Sequence, residues 1–326
     1  MRTTEVAEED LDLDDGGSLE EAARICNGLR SNLAKVLLGA KGALGASVVA
    51  ALSGGHLLIE DVPGVGKTLL AKALARSLGC GLSRVQGHPD LMPSDVLGVS
   101  VYLPGQATWE LRPGPVFSRV LLFDELNRTP PRTQSALLEA MEEGQVTIDG
   151  ETIPLPCPQM VIATENPVED LGTFPLVESQ RDRFALATSI GYPDQATEAK
   201  VALEQGGPGA LDTLEAVCDP KAWAAAQAAT RSIHVAEKVA SYAVSICDAT
   251  RRHPGVRLGA SPRASIWLLR AARAYALGAG RDFVAPADVK AVAPACLAHR
   301  LVTNGGMQGA LAVVLAILEA LPAPRP

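Results

Sequence analysis

Apolar residues follow two regimes along this 326-residue chain, and the change falls near Gly191. Before it, short continuous apolar runs alternate with stretches in which apolar positions recur every three or four residues. After it, only the helical recurrence persists. Short apolar runs bounded by glycine, proline or acid read as buried strands, and the 3.6-residue recurrence reads as helices packed through one face. The runs are His56-Leu57-Leu58-Ile59, Leu82-Ser83-Arg84-Val85-Gln86, Val120-Leu121-Leu122-Phe123, Met160-Val161-Ile162-Ala163-Thr164 and Phe184 to Thr188. Strands interleaved with helices predict an α/β domain over 18–191, and the region 192–326 reads as an α-helical domain.

Local signals sharpen these elements. Ser18-Leu19-Glu20-Glu21 is a capping box opening a helix whose apolar positions are Ala22, Ile25, Leu29, Leu33 and Val36. A second helix rich in alanine and valine runs to Gly54-Gly55, and a third spans Pro131 to Glu143 and stops at Gly144. Two hairpins are expected. One pairs Val99–Leu103 with Thr108–Leu111 around Pro104-Gly105, and an ordinary edge hairpin is an equal reading of it; the other turns at Asp149-Gly150. Gly206-Gly207-Pro208-Gly209 reads as a loop within the helical region, and Ser261-Pro262-Arg263 as a helix start.

Composition narrows the class. With 47% hydrophobic and 20% charged residues the chain can bury a substantial core, whereas residues 1–17, carrying Glu5, Glu8, Glu9, Asp10, Asp12, Asp14 and Asp15, read as a disordered acidic tail. A net charge of -8 argues against a general nucleic-acid binder. Six dispersed cysteines without a C-x-x-C pair suggest neither a zinc site nor a disulfide framework. There is no leader pattern, and the longest apolar run, Gly309 to Leu318, is too short to span a bilayer, so a cytoplasmic protein is expected.

The candidate chemistry centres on His56 to Thr68, HLLIEDVPGVGKT, in which an apolar strand breaks into a glycine turn and resumes as a helix. Gly64 and Gly66 let backbone amides turn around an anion, Lys67 adds a charge toward the β- and γ-phosphates, and Thr68 offers a hydroxyl to Mg²⁺. The first slot of this pattern is usually glycine and here is Asp61. Val120 to Arg128 then reads as a buried strand ending in Asp124, suited to Mg²⁺, and Glu125, suited to polarising water. Solvated acids at a strand end are the bland alternative. Asn166, after the Met160 strand, could orient an attacking water or simply form a turn. In Arg181-Asp182-Arg183 either arginine could pair locally with the acid or reach a neighbouring subunit as an arginine finger. Arg263, at the positive end of a helix, favours an anionic partner such as a γ-phosphate.

The ordered motifs EDVPGVGKT, LLFDELNR, TENP, ESQRDRF and GASPRAS resemble the MoxR family of AAA+ ATPases, over roughly Leu33 to Leu301. That resemblance implies an AAA+ P-loop core with a five-stranded parallel sheet, β-hairpin inserts facing the pore of a ring, and a C-terminal helical lid. It assigns Pro63, Gly64, Val65, Gly66, Lys67, Thr68 and Leu69 to the phosphate loop, and Leu37, Leu38 and Gly39 to the adenine side. By the same resemblance Thr68 and Asp124 hold Mg²⁺, Glu125 belongs to Walker B, Asn166 is sensor 1, Arg183 is the trans-acting finger and Arg263 is sensor 2. Two positions depart from the family: Ala40 stands where glutamine is usual after Gly39, and Glu165 where glutamine is frequent. The expected protein is thus an ATPase using ATP and Mg²⁺, with Arg263 acting in its own subunit and Arg183 in the next. It would form a ring homo-oligomer, with a hexamer expected, and mature protein complexes or insert a metal cofactor with a von Willebrand factor A (VWA) domain partner. A nucleic-acid-stimulated motor, a nucleotide-gated scaffold with little turnover, and a small-molecule kinase are the rivals.

Overall fold

The computed structural model describes residues 18–167, 172–203 and 206–324, so the acidic segment 1–17 lies outside the described residues. Helix α1 (Leu19–Val36) starts where Ser18 Oγ accepts the Glu21 N–H at 3.1 Å, and it buries Ala22, Ile25, Leu29, Leu33 and Val36. Helix α2 (Lys41–Ser53) ends on left-handed Gly54 and leads into strand β1 (Leu57–Glu60). Next come α3 (Lys67–Ser77), β2 (Leu82–Gln86) and the short α4 (Pro93–Leu97). A hairpin of β3 (Gly98–Leu103) and β4 (Thr108–Pro113) precedes β5 (Val120–Asp124) and α5 (Pro131–Glu143). A second hairpin, β6 (Gln145–Ile148) and β7 (Glu151–Pro154), leads to β8 (Met160–Glu165), α6 (Glu178–Arg181) and β9 (Leu186–Thr188).

The five long-range strands form one parallel sheet in the order β2-β5-β8-β1-β9. Alternation of side chains along each strand divides the core in two. Leu57, Ile59, Leu122, Met160 and Ile162 face α1, α2 and α3, while Leu58, Leu121, Phe123, Val161 and Ala163 face α5. Both hairpins are separate two-stranded sheets, so β3-β4 is an insert and not an edge of the main sheet. At its outer end Tyr102 and Trp109 pair across the strands with ring centroids 5.3 Å apart, both exposed.

Beyond Gly191 the chain is helical as expected: α7 (Gln195–Ala202), α8 (Gly207–Asp212), α9 (Pro220–Ser232), α10 (Glu237–Arg252), then β10 (Val256–Leu258) and α11 (Pro262–Gly278), α12 (Pro286–Leu297), β11 (Val302–Thr303) and α13 (Gly306–Ala320). Three expectations are corrected. Residues 207–209 open α8, because proline is at home in a helix's first turn. Strand β9 starts at Leu186, since the buried Phe184 and Ala185 give their carbonyls to His299 and Arg300 instead of a strand ladder. A small antiparallel ladder, β10 with β11, interrupts the helices. The change at Gly191 does not end the core: Trp223, Leu268 and Leu277 join the same apolar cluster as Leu57 and Ile59, and Trp223 Nε1 donates to the Ala51 carbonyl at 2.9 Å.

Candidate functional site

Strands β1, β5 and β8 end together, and their carboxyl ends deliver Asp61, Asp124 and Glu165 to one edge of the sheet. Ligands bind at that edge in open α/β folds. The turn after β1 puts Gly64 and Gly66 at φ 86° and 102°, and α3 begins at Lys67 with no side-chain cap. Its first-turn amides are therefore suited to an anion, and space is open above Gly64. Lys67 is buried and its Nζ donates to the Asp61 carbonyl at 2.6 Å. Thr68 and Leu69 are half-buried behind it, while Pro63 is exposed. A Cβ at Gly66 would lie 2.7 Å from Leu37 Cδ1, so Leu37 covers the loop; Leu38 and Gly39 follow it along the chain, Gly39 exposed and at φ 83°. Asp61 is buried and fully used: Oδ1 accepts the Val62 N–H at 2.8 Å, and Oδ2 accepts those of Ile190 and Gly191 at 2.6 and 2.7 Å. The slot that breaks the glycine pattern thereby fastens the loop to the chain leaving β9.

Asp124 and Glu125 adjoin this loop edge and are held differently. Asp124 accepts from Thr164 Oγ1 at 2.7 Å and from Arg84 Nη2 at 2.8 Å. Glu125 sits at φ 56°, its N–H donating to Thr164 Oγ1, and its Oε2 accepts from Gln86 Nε2 at 2.8 Å and Arg128 Nη1 at 3.2 Å. The turn is possible because residue 87 is glycine: a Cβ there would stand 2.1 Å from the Glu125 carbonyl oxygen. Asn166 is buried just past β8, and its carbonyl accepts from Asn127 Nδ2. Asp124, Glu125 and Thr68 offer carboxylate and hydroxyl oxygens, a donor chemistry that suits a hard, oxygen-seeking cation such as Mg²⁺.

The Arg181-Asp182-Arg183 triplet does not pair internally. Arg181 reaches inward to Glu60 at 3.0 Å and Glu165 at 2.9 Å. Burial pushes the Glu165 carboxyl up from 4.5 to about 7, with Arg181 opposing and Glu60 reinforcing the rise; burial raises Glu60 as well. Asp182 accepts from Ser261 Oγ, the N-cap of α11, and from buried Arg300 Nε at 2.8 Å. Arg183 Nε lies 3.2 Å from Glu142, and Arg263 bonds the other oxygen of the same carboxylate.

This cluster lies toward the opposite edge of the sheet. The carbonyl of Met141, beside Glu142, meets buried His56 Nε2 at 3.1 Å, and the Ala185 N–H, two residues past Arg183, donates to the His56 carbonyl. His56 immediately precedes β1, whereas the glycine turn follows it, and four strand residues separate the two by about 13 Å. Burial lowers the His56 imidazole to about 4, so it stays neutral and can accept the Val161 N–H through Nδ1. Arg263 is therefore not beside Lys67 of its own chain. Arg263 and Arg183, expected to serve different subunits, are gathered here on one carboxylate.

Residues 56–186 match the model of the ATPase family associated with various cellular activities (AAA), and residues 248–314 match an AAA lid domain. YeaC of Bacillus subtilis is 45% identical over 295 residues, covering 89% of this chain and 92% of that protein. Chaperone MoxR1 of Mycobacterium tuberculosis is 41% identical over 274 residues, 78% of this chain and 70% of that one. The chain belongs to the MoxR family of AAA+ ATPases. A crystal structure of a Cytophaga hutchinsonii protein superposes with a TM-score of 0.84 at 33% identity, over 94% of this chain and 98% of that one. The parallel sheet with a helical lid is thus the AAA+ fold of a MoxR ATPase, and no helix among the described residues is long and apolar enough to cross a membrane.

For this MoxR protein, sequence reading missed the residues that hold the acids: Arg84 and Gln86, two apart on β2, together with Thr164 and Arg128. A polar residue near the carboxyl end of an otherwise buried strand was the available signal for Thr164, whereas Gln86 ends a strand of which only Val85 is buried. Glu142 carried no signal of its own, since it sits among acids at a helix end and gains its partners only through tertiary packing.

Proposed function

We propose that this MoxR ATPase binds ATP with Mg²⁺ on its glycine turn and hydrolyses it at a seam between two copies of the chain. Gly64, Val65, Gly66 and the first-turn amides of α3 would cradle the phosphates, Lys67 would contact the β- and γ-oxygens, and Leu37 would border the base. Thr68 and Asp124 would hold Mg²⁺, which neutralises charge on the phosphate oxygens when bound. Glu125, released from Gln86 and Arg128, would take a proton from the attacking water, with Asn166 orienting it. Arg183 and Arg263 would both come from the neighbouring copy and stabilise charge on the transferring phosphoryl.

The observation that carries this reading is the gathering of both arginines on Glu142, at the sheet edge away from their own glycine turn. A repeating head-to-tail contact would bring one copy's arginine edge to the next copy's phosphate edge, and such a contact forms a ring when its rotation closes on itself. A ring remodeller acting on a client protein, with a VWA-domain partner in complex maturation or metal-cofactor insertion, is the function the family suggests, in a cytoplasmic setting. ATPase rate per subunit should rise with protein concentration, and Glu125→Gln should remove turnover while keeping nucleotide binding. A rate per subunit independent of concentration would refute the shared site, and equal rates for wild type and Glu125→Gln would favour a nucleotide-gated scaffold.

A further inference from the structure

We propose that Glu142 is a positioning residue that binds Arg183 and Arg263 into one unit facing a neighbouring subunit's nucleotide; the assignment rests on the shared-site reading above. Each carboxylate oxygen of Glu142 takes one guanidinium, Oε2 that of Arg183 at 3.2 Å and Oε1 that of Arg263. All three side chains are about one third exposed, which leaves them accessible from outside the subunit. The arginines arrive from unrelated segments, the turn between α6 and β9 and the first turn of α11, so nothing covalent keeps them together. Their like charges would drive them apart without the carboxylate between them.

Both ends of the Glu142–Arg263 contact stand where the local helix dipole opposes them. Glu142 lies in the last turn of α5, the negative end, and Arg263 in the first turn of α11, the positive end. Neither charge is favoured by its own helix; Arg263 is offset by Glu142, and Glu142 by the two arginines together. The support beneath Glu142 is firm: Gly144 closes α5 in the left-handed conformation, and the Met141 carbonyl is pinned to His56 at the start of β1. A cluster of two guanidiniums and one carboxylate keeps a net positive charge, suited to a phosphate anion, in a fixed geometry.

The test compares single-turnover hydrolysis and nucleotide affinity of the assembled full-length protein. Variants are Glu142→Gln, Glu142→Asp, Arg183→Ala with Arg263→Ala, and the triple change. Glu142→Gln is expected to slow hydrolysis by about tenfold or more through lost orientation, with nucleotide affinity within about twofold of wild type. Glu142→Asp, keeping the charge on a shorter stem, should recover part of the rate, and it serves if Glu142→Gln does not assemble. In the arginine-less background the Glu142 change should have no further effect. An equal loss in both backgrounds, or a lower melting temperature with unchanged kcat, would identify a structural clasp between core and lid and overturn the assignment. Arginine variants that remain impaired while Glu142→Gln is fully active would overturn Glu142 alone; fully active arginine variants would overturn the shared site with it.

Discussion

The two edges of the parallel sheet carry charge in opposite ways. At the carboxyl edge, Asp61, Lys67, Asp124 and Glu125 lie within a few residues of a strand end, and each charge is held by backbone or by an adjacent strand. At the amino edge, Glu142, Arg183 and Arg263 come from three segments spread over 121 residues and meet only after the lid has packed. The first edge is a local consequence of strand, turn and helix, whereas the second is a product of the tertiary fold. Under the proposed shared site, two copies of the chain are needed to bring these edges together.

The largest effect expected from breaking one edge alone is that of Lys67→Ala. Turnover should fall by about 10³-fold or more, as for loss of a group that touches the transferring phosphoryl, in steady-state ATPase assays. Its arginine edge should stay intact, and persistence of wild-type turnover would remove the glycine turn from the chemistry. Gly87→Ala comes next. The added methyl would meet the Glu125 carbonyl oxygen at 2.1 Å, and displacing that residue should lower kcat by about 10²-fold while nucleotide affinity holds. Unchanged kcat would mean that the position of Glu125 is not critical.

Asp61→Asn probes the loop's anchorage. Asparagine has one acceptor oxygen: set against the Ile190 and Gly191 N–H donors, it turns its NH2 toward the Val62 N–H, so one anchor is lost and nucleotide affinity should weaken by about tenfold, measurable by calorimetry. The smallest effect is expected at Glu165→Gln. Its folded-state carboxyl titrates near 7 and its unfolded one near 4.5, so the folded state binds more protons between those values and stability falls as pH rises through that window. Glutamine removes this dependence. The variant should therefore gain about 3 °C in melting temperature at pH 8 and differ little at pH 4. A variant less stable than wild type at pH 8 would show that the ion pair with Arg181 outweighs burial.

Much of the carboxyl edge was legible because its signals are contiguous: an apolar run, a glycine pair, Lys67 and Thr68 follow one another, and Asp124 ends a buried strand. Its finer structure was not, since Gln86 meets Glu125 across neighbouring strands that have no sequence proximity. The hairpins, α1 and α5 followed from periodicity and turn residues. Phe184 and Ala185 misled because burial beneath the lid, where Arg300 and His299 bond their carbonyls, demands the same apolar residues as a strand. The Arg181-Asp182-Arg183 triplet looked like one local unit, yet its members face the Glu60–Glu165 pair, the lid and Glu142 respectively. Distant partners chose those directions: Arg300 and Ser261 claim Asp182, which leaves both arginines for other carboxylates.

Mixing two inactive variants tests the divided site most directly. Lys67→Ala subunits lack a working phosphate edge but keep their arginines, and subunits bearing Arg183→Ala with Arg263→Ala have the reverse defect. Co-assembled in equal amounts, they should recover about a quarter of the wild-type ATPase rate per subunit, the fraction of seams that pair one intact edge from each parent by random assortment. A mixture no more active than the sum of its separate components would contradict the account.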